Sequence, residues 1–488
     1  MTTTARPVTT GPTRVRSLLA EPPEPTSTVK PPEPTSTVEP AEPAGTVLGA
    51  SPGAVESLTA YLDTGGYRQR ADDTPGELLA HLADAGLRGR GGAAFPAATK
   101  LAAVRDAGGA PVVVANGEEG EPGSVKDRWL LRARPHLVLD GLARAASITG
   151  ARHGYVYVAD PVAAERVRGA LAERAPASPL DTVEVVETGH TYVAGEESAV
   201  VRRIDGGPAL PLAKPPRPYQ SGVGGEPTLV ANVESLARIA LIAARPDRRH
   251  RIARTTLLTL AGPAGTEPLL TEAPYGTTLR RLARAQGTRD ARAALMGGLF
   301  GGLVGEGALD LPVDPDRLAE AGTALGCAAI RFLGPDDCPV STAADAAAHL
   351  AAESARQCGV CVAGSGAVRD TLGALAAGRA PDGAVANLTR WAAGLPGRGA
   401  CGLLDAAAGI AGSLLRAFPA LVDTHLAGNC PSCRAAADRD AATAAERLTV
   451  PVPGPGPSPL PGSACVPGPF PPPSASGSAP GSAPARRT

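Results

Sequence analysis

The 488-residue chain carries 47 basic and 48 acidic side chains, so no net field recommends nucleic acid or an anionic membrane as a partner. No apolar run reaches bilayer-spanning length, and Met1 to Val15 lacks the apolar core of an export signal. A cytoplasmic protein is expected, and in that reducing compartment eight cysteines suit metal or redox work better than a disulfide scaffold.

Residues 1–53 are rich in Pro, Thr, Ser and Glu and repeat PPEPTSTV at 22–29 and 31–38. Such a segment buries too little apolar surface to offset ordering entropy, which predicts a disordered, PPII-biased tail. Across 54–245, β-branched runs alternate with helical-period stretches. PVVVAN (111–116) and GYVYVAD (154–160) read as buried strands, and Leu137–Ile148 and Ala163–Glu173 as helices, an α/β layer pattern. Shorter strands and turns follow over 252–304, in TLLTLAG (256–262), YGTTLRRLARAQG (275–287) and ALMGGLFGG (294–302). An αβ connecting unit spans 305–341, and an Ala-rich helical stretch 342–446. Residues 447–488, rich in Pro, Gly and Ser, predict a second disordered tail, with Cys465 an incidental thiol.

Four segments of the first block carry chemistry. LRGRGGAAFPAATK (87–100) is a Gly/Arg loop entering a helix, where bare backbone N–H groups and a helix N-terminus suit a phosphate; an Arg/Gly surface turn is the bland alternative. ANGEEGEPGSVKDR (115–128) follows a buried strand at the end where open α/β sheets bind ligands, although three carboxylates there also suit a solvated loop. GHTYVAGEESAVVRRIDG (189–206) and KPPRPYQSGVGGEPTLVANVESL (214–236) each end in a predicted helix. Downstream, the pairs Cys358/Cys361 and Cys430/Cys433, with Cys401 between them, have spacings that suit zinc, an iron–sulfur cluster, a disulfide or inert thiols. Cys327 and Cys338 read as buried core thiols, and none of the seven histidines falls in a ligand-spaced cluster.

Those four segments in this order, continued by AGTALGCAAIRFLG (321–334) and ESARQCGVC (353–361), resemble the NADH-binding flavoprotein (F) subunit of bacterial NADH:quinone oxidoreductase and its relatives in NAD-linked hydrogenases and formate dehydrogenases. The resemblance covers about 54–427. It implies a Rossmann-like FMN-binding α/β domain at 54–245, a small β-grasp (SLBB-like) domain at 252–304 and a helical iron–sulfur domain at 342–446. It also implies that FMN takes a hydride from NADH or NADPH and passes single electrons through a 4Fe-4S cluster, with no catalytic acid, base or nucleophile from the protein.

By the same resemblance, Gly89, Arg90, Gly91, Gly92 and Lys100 wrap the FMN phosphate, and Asn116, Glu118 and Glu119 line the isoalloxazine. Tyr192, Gly195, Glu196, Glu197, Asn232 and Ser235 complete the flavin site. Phe95, Glu121, Glu197 and Lys214 match the NADH side, where Ala103 and Arg217 stand at positions the family fills with phenylalanine. Aligning on Glu353 and Ser354 puts Ala355 at the first cluster-cysteine position. Cys358, Cys361 and Cys401 match, and Cys430 is the expected fourth ligand. A ferredoxin or another electron-transfer subunit is the expected partner, in a stand-alone protein or one bound peripherally to a respiratory complex. The alternative is a non-catalytic electron-transfer or assembly subunit that has lost NADH turnover.

Overall fold

The computed structural model describes residues 13–19, 46–49, 53–68, 74–173, 178–428, 430–433 and 443–454. The PPEPTSTV repeat and Cys465 lie outside them. The architecture is mixed α/β, with parallel strand pairing in both sheets and a helical C-terminal region.

Strand β1 (Arg14–Ser17) belongs to the second sheet described below. The first sheet consists of β2 (Val112–Asn116), β3 (His153–Val158), β4 (Thr182–Glu187) and β5 (Thr228–Asn232), all parallel, in the order β4-β3-β2-β5. Val112, Val113 and Val114 are all buried, as a central parallel strand flanked by helices on both faces requires. The predicted helices form as Pro135–Thr149 and Pro161–Glu173. The first of these starts with Pro at its first turn and ends at Gly150 in the left-handed region (φ 80°), so both boundaries are written in the sequence. It crosses the Val233–Ala244 helix so closely that a Cβ on Gly141 would lie 2.0 Å from the Leu236 carbonyl oxygen. The chain steps outward from β2 through β3 to β4 and then returns to the other side of β2 as β5. That reversal puts a topological switch point between β2 and β5, where open α/β sheets bind ligands.

The second sheet adds β6 (Thr255–Ala261), β7 (Leu269–Pro274), β8 (Ala293–Met296), β9 (Gly302–Gly305) and β10 (Ala329–Leu333) to β1, in the order β1-β7-β6-β10-β8-β9. Two expectations are corrected here. The stretch 252–304 does not close on itself, because β10 from the connecting unit lies between β6 and β8. Nor are the terminal segments wholly outside the fold. Residues of β1 pair with β7, and Val47 and Leu48 are buried, their N–H groups donating to the Glu272 carboxylate at 2.9 and 3.2 Å. At the other end Leu448 and Val450 are buried, and Val450 N donates to Pro122 O. Long-range partners, absent from local composition, order these short pieces.

The helical region packs Pro339–Ala352, Gly359–Ala376, Ala384–Gly394, Leu403–Ala417 and Pro419–Leu426 around a Leu/Ala core that includes Val340, Leu350, Leu372, Leu404 and Leu414. No single helix among the described residues is long and apolar enough to cross a membrane. The pair Leu403–Ala417 and Pro419–Leu426 is apolar enough together but bends by 95° at the break.

Candidate functional site

Asn116 and Asn232 are register partners at the carboxyl ends of β2 and β5, on the two lips of the switch point. Asn116 donates to Gly195 O at 2.8 Å and accepts from Glu118 N, tying the second and third motifs together. Asn232 caps the Val233–Ala244 helix by accepting from Glu234 N at 3.0 Å, and donates to Asp127 at 2.7 Å. The glycine loop lies against the start of this helix. Ser235 Oγ accepts the Arg90 N–H at 2.8 Å, and Gly91 faces Asn232 so closely that a Cβ would contact it at 3.4 Å. Gly92 has φ +105°, which disfavours any other residue. A glycine-rich backbone loop beside the start of a twelve-residue helix has the makings of an anion site.

Two side chains expected in this site serve elsewhere. The Arg90 guanidinium is buried and donates to Tyr275 Oη at 2.5 Å and to the Ala253 and Thr255 carbonyls, with Glu234 at 3.7 Å. Only its backbone remains at the loop. Both Glu119 oxygens are likewise committed, one accepting from Ser124 Oγ and Asp127 N, the other from Arg128 N and Nε. It anchors the start of the Lys126–Ala133 helix.

Glu118 behaves differently. It is 6% exposed, and neither carboxylate oxygen has a hydrogen-bond partner, with His190 Nδ1 3.4 Å away. Burial raises its pKa, opposed by His190. A buried acceptor of this kind lies beside Gly195, whose Cβ would come within 2.6 Å of it. A planar heterocycle with ring N–H donors and flat apolar faces fits this wall, so the residues present suit a flavin. Gly120 keeps the wall thin, since a Cβ there would lie 2.4 Å from Thr191 O and 2.7 Å from Tyr192 Cα. Gly120→Ala is therefore expected to push the two loops apart and to lower the flavin content of purified protein severalfold, as read by absorbance against protein concentration. Burial pushes Glu121 up to about 8, against opposing hydrogen bonds from Leu299 N–H and the Tyr192 phenol, so it is largely neutral at pH 7.

A charged rim closes the crevice. Lys100 Nζ donates to Val230 O at 2.8 Å and lies 3.4 Å from Glu197, and Lys214 pairs with both Glu196 and Glu197. Lys100 and Lys214 outweigh burial and hold Glu197 below the usual carboxylate range. Arg217, which stands where the family has phenylalanine, brings its guanidinium to 3.7 Å from Glu197. Phe95 is 53% exposed, a large apolar ring left bare at the loop tip. Lys100, Glu196, Glu197 and Lys214, drawn from three separate motifs, thus converge.

Cys358, Cys361 and Cys401 line one pocket together with Ser354, Ala355 and Gln357. Burial raises the Cys401 thiol, with further upward pressure from Cys361, Glu196 and Cys358. Three soft thiol donors around a common pocket fit an iron–sulfur cluster with one iron lacking a cysteine. The pocket is tied to the crevice. Glu353 accepts from Tyr192 N at 2.9 Å, and Gln357 donates to Pro211 O while accepting from Arg202.

Cys430 is not at this pocket. Its Sγ lies 3.9 Å from Cys338 Sγ, and Cys338 caps the opposite end of the fourteen-residue Pro339–Ala352 helix from Glu353, about 21 Å away at 1.5 Å per residue. Cys338 is therefore not an inert core thiol. Together with His425, Cys430 and Cys433 it forms a group whose ligand atoms all lie within 4.8 Å of one another. The expectation of no clustered histidine fails with it. His425, Cys430 and Cys433 stand at H-x4-C-x2-C spacing, a signal present in the sequence, whereas Cys338 joins them only through the fold.

A glycine loop and acidic crevice at an α/β switch point, beside a thiol-lined helical pocket, suit a flavin and iron–sulfur oxidoreductase. Residues 82–241 match the Nuo51 FMN-binding domain and 341–425 the NADH-ubiquinone oxidoreductase-F iron-sulfur binding region. The NADH-quinone oxidoreductase F 2 subunit of Rhizobium meliloti is 31% identical over 400 residues, covering 76% of this chain and 94% of that one. The corresponding F subunit of Escherichia coli is 33% identical over 314 residues, 59% of this chain and 70% of that one. The chain belongs to the family of NADH-quinone oxidoreductase F subunits and is an NADH dehydrogenase-type oxidoreductase that binds FMN and iron–sulfur. An NAD+-reducing [NiFe]-hydrogenase in its H2-reduced state is structurally similar, with a TM-score of 0.66 at 27% identity, covering 78% of this chain and 68% of that one.

Proposed function

We propose that the switch-point crevice holds FMN and NADH together, and that the pocket of Cys358, Cys361 and Cys401 holds the cluster that receives the electrons. The observation that carries this reading is the Glu353–Tyr192 hydrogen bond, which ties the residue preceding the pocket's Ser354 to the crevice wall. Bound FMN supplies the exchange between two-electron hydride chemistry and one-electron transfer, and the cluster supplies the one-electron exit. The protein's own residues bind and orient. Gly89 and Arg90, whose N–H groups are taken by Phe95 O and Ser235 Oγ, shape the loop, and the backbone N–H groups of Gly91 and Gly92, with Lys100, Asn232 and Ser235 behind them, receive the phosphate. Asn116, Glu118, Tyr192 and Gly195 form the wall for the flavin ring. Phe95 offers a stacking face for the nicotinamide dinucleotide, Glu121, Glu197 and Lys214 meet its polar groups, and Arg217 substitutes a phosphate-pairing cation for a lost ring.

In this reading the first sheet is a Rossmann-like FMN unit and the second a β-grasp unit enlarged by β1 and β10. The electron acceptor is a ferredoxin or another one-electron carrier protein, met in the cytoplasm or at the periphery of a membrane complex. Phe95→Ala tests the nucleotide assignment. Loss of one stacking ring is expected to raise KM for NADH about tenfold, equivalent to ~1–1.5 kcal/mol, with flavin content unchanged. An unchanged KM in steady-state kinetics would remove Phe95 from the site.

A further inference from the structure

The group formed by Cys338, His425, Cys430 and Cys433 belongs to neither the flavin crevice nor the three-thiol pocket. We propose that it is a structural zinc site of Cys3His type that ties the return of the chain to the first helix of the iron–sulfur region.

The distances select a single ion. Cys338 Sγ lies 3.2 Å from His425 Nε2, Cys430 Sγ 3.9 Å from Cys338 Sγ, and Cys433 Sγ 3.8 Å from His425 Nε2. Tetrahedral zinc with bonds of about 2.3 Å to sulfur and 2.0 Å to nitrogen has edges of about 3.8 Å between sulfurs and about 3.5 Å between sulfur and nitrogen. A cubane cluster binds each cysteine through a different iron, so its ligand sulfurs stand much farther apart than one edge of such a tetrahedron. Four donors all within 4.8 Å of one another are too tightly drawn for a cluster and suit one ion.

The surroundings complete the coordination logic. His425 is buried, and its Nδ1 lies 3.1 Å from the Leu375 carbonyl oxygen. A carbonyl only accepts, so Nδ1 carries the proton and Nε2 presents its lone pair to the three sulfurs. Cys338 sits at the N-cap of a fourteen-residue helix, a rigid element that fixes its position. Cys338, Cys430 and Cys433 all lie outside the matched iron–sulfur region, which ends at His425. The site thus draws together donors from both flanks of that region. It holds the Pro339–Ala352 helix at one end while the three-thiol pocket occupies the other, and through Leu375 it also fixes the far end of the Gly359–Ala376 helix. A rigid clamp of this kind compensates for a cluster pocket that has lost one covalent tether at Ala355.

Elemental analysis of full-length protein purified anaerobically, as wild type, Cys433→Ser and Cys401→Ser, tests the site. Half-buried Cys433 is chosen because its replacement disturbs the core least. We expect about one zinc per wild-type chain, retained in Cys401→Ser and lost in Cys433→Ser, whose iron content stays at the wild-type value. Chelator-stripped wild-type protein titrated with Co2+ should develop tetrahedral d–d and thiolate charge-transfer absorption at one equivalent, weakened in Cys433→Ser. Three results would each overturn the proposal: no zinc in wild type together with no tetrahedral cobalt spectrum, a Cys433→Ser variant that keeps its zinc, or a native Cys430–Cys433 disulfide in mass spectra of the anaerobic protein.

Discussion

Glu234→Ala is expected to destabilise the protein by about 3–5 kcal/mol, read as a lowered midpoint in urea with unchanged slope. Glu234 is fully buried, lies 3.1 Å from Lys126 Nζ and 2.8 Å from Arg238, and has Arg90 at 3.7 Å. Removing the one carboxylate common to three buried cations leaves Lys126 with Asp127, Arg238 with Glu272 and, among the described residues, Arg90 with no carboxylate in an ion pair, and under-compensated desolvated charge is among the costliest defects in a core. Burial by itself would raise the Glu234 pKa, but Lys126, Arg238 and Arg90 more than reverse this and hold it at about 2, against an ordinary value of 4.5. Because the folded pKa lies below the unfolded one, the associated stabilisation is present above about pH 4.5 and is lost as pH falls towards 2. Over that window wild type should lose about 3 kcal/mol that Glu234→Gln has already lost at neutral pH. Parallel acid-unfolding curves for the two proteins would contradict the pairing. Because Ser235 and the start of the Val233–Ala244 helix support the glycine loop, a loosened network should also lower flavin occupancy.

Cys401→Ser should abolish the iron–sulfur absorption and the reduced-state EPR signal while leaving bound flavin in place, and NADH-driven reduction of a one-electron acceptor should fall to background. The expectation rests on the pocket's donor set. With Ala355 at the wall only three thiols, Cys358, Cys361 and Cys401, remain there among the described residues, so a cluster has no cysteine to spare. Serine preserves size and removes the soft sulfur ligand, which separates loss of ligation from loss of packing. Wild-type iron and sulfide content in this variant would show that the cluster does not use Cys401.

Much of the site was legible because its chemistry lies next to its structure in the chain. Asn116 follows the Val112–Val114 run and Asn232 precedes an apolar helix, so a strand end and a helix start could be read locally, and the fold then made the two residues neighbours. What stayed hidden was spatial. Arg90 and Glu119 have the right residue types in the right motifs, yet a buried anion network and a helix start claim their side chains. Residues of β1 carry no periodic signal over four positions and become a strand only because β7 offers an unpaired edge. Cys338 stands 87 residues from His425, a separation over which spacing carries no information. The enlarged second sheet was missed for the same reason, since β10 enters it from beyond the local hairpins.

Anaerobic titration of the purified holoprotein with NADH, followed by flavin absorbance and by EPR at each equivalent, tests the transfer from nucleotide to flavin to cluster most directly. We expect oxidised-flavin absorption to bleach with NADH and a reduced iron–sulfur signal to grow in parallel. Flavin absorption that stays unbleached with excess NADH, while dithionite reduces both centres, would contradict this account and identify a chain that keeps the family's fold without its NADH turnover.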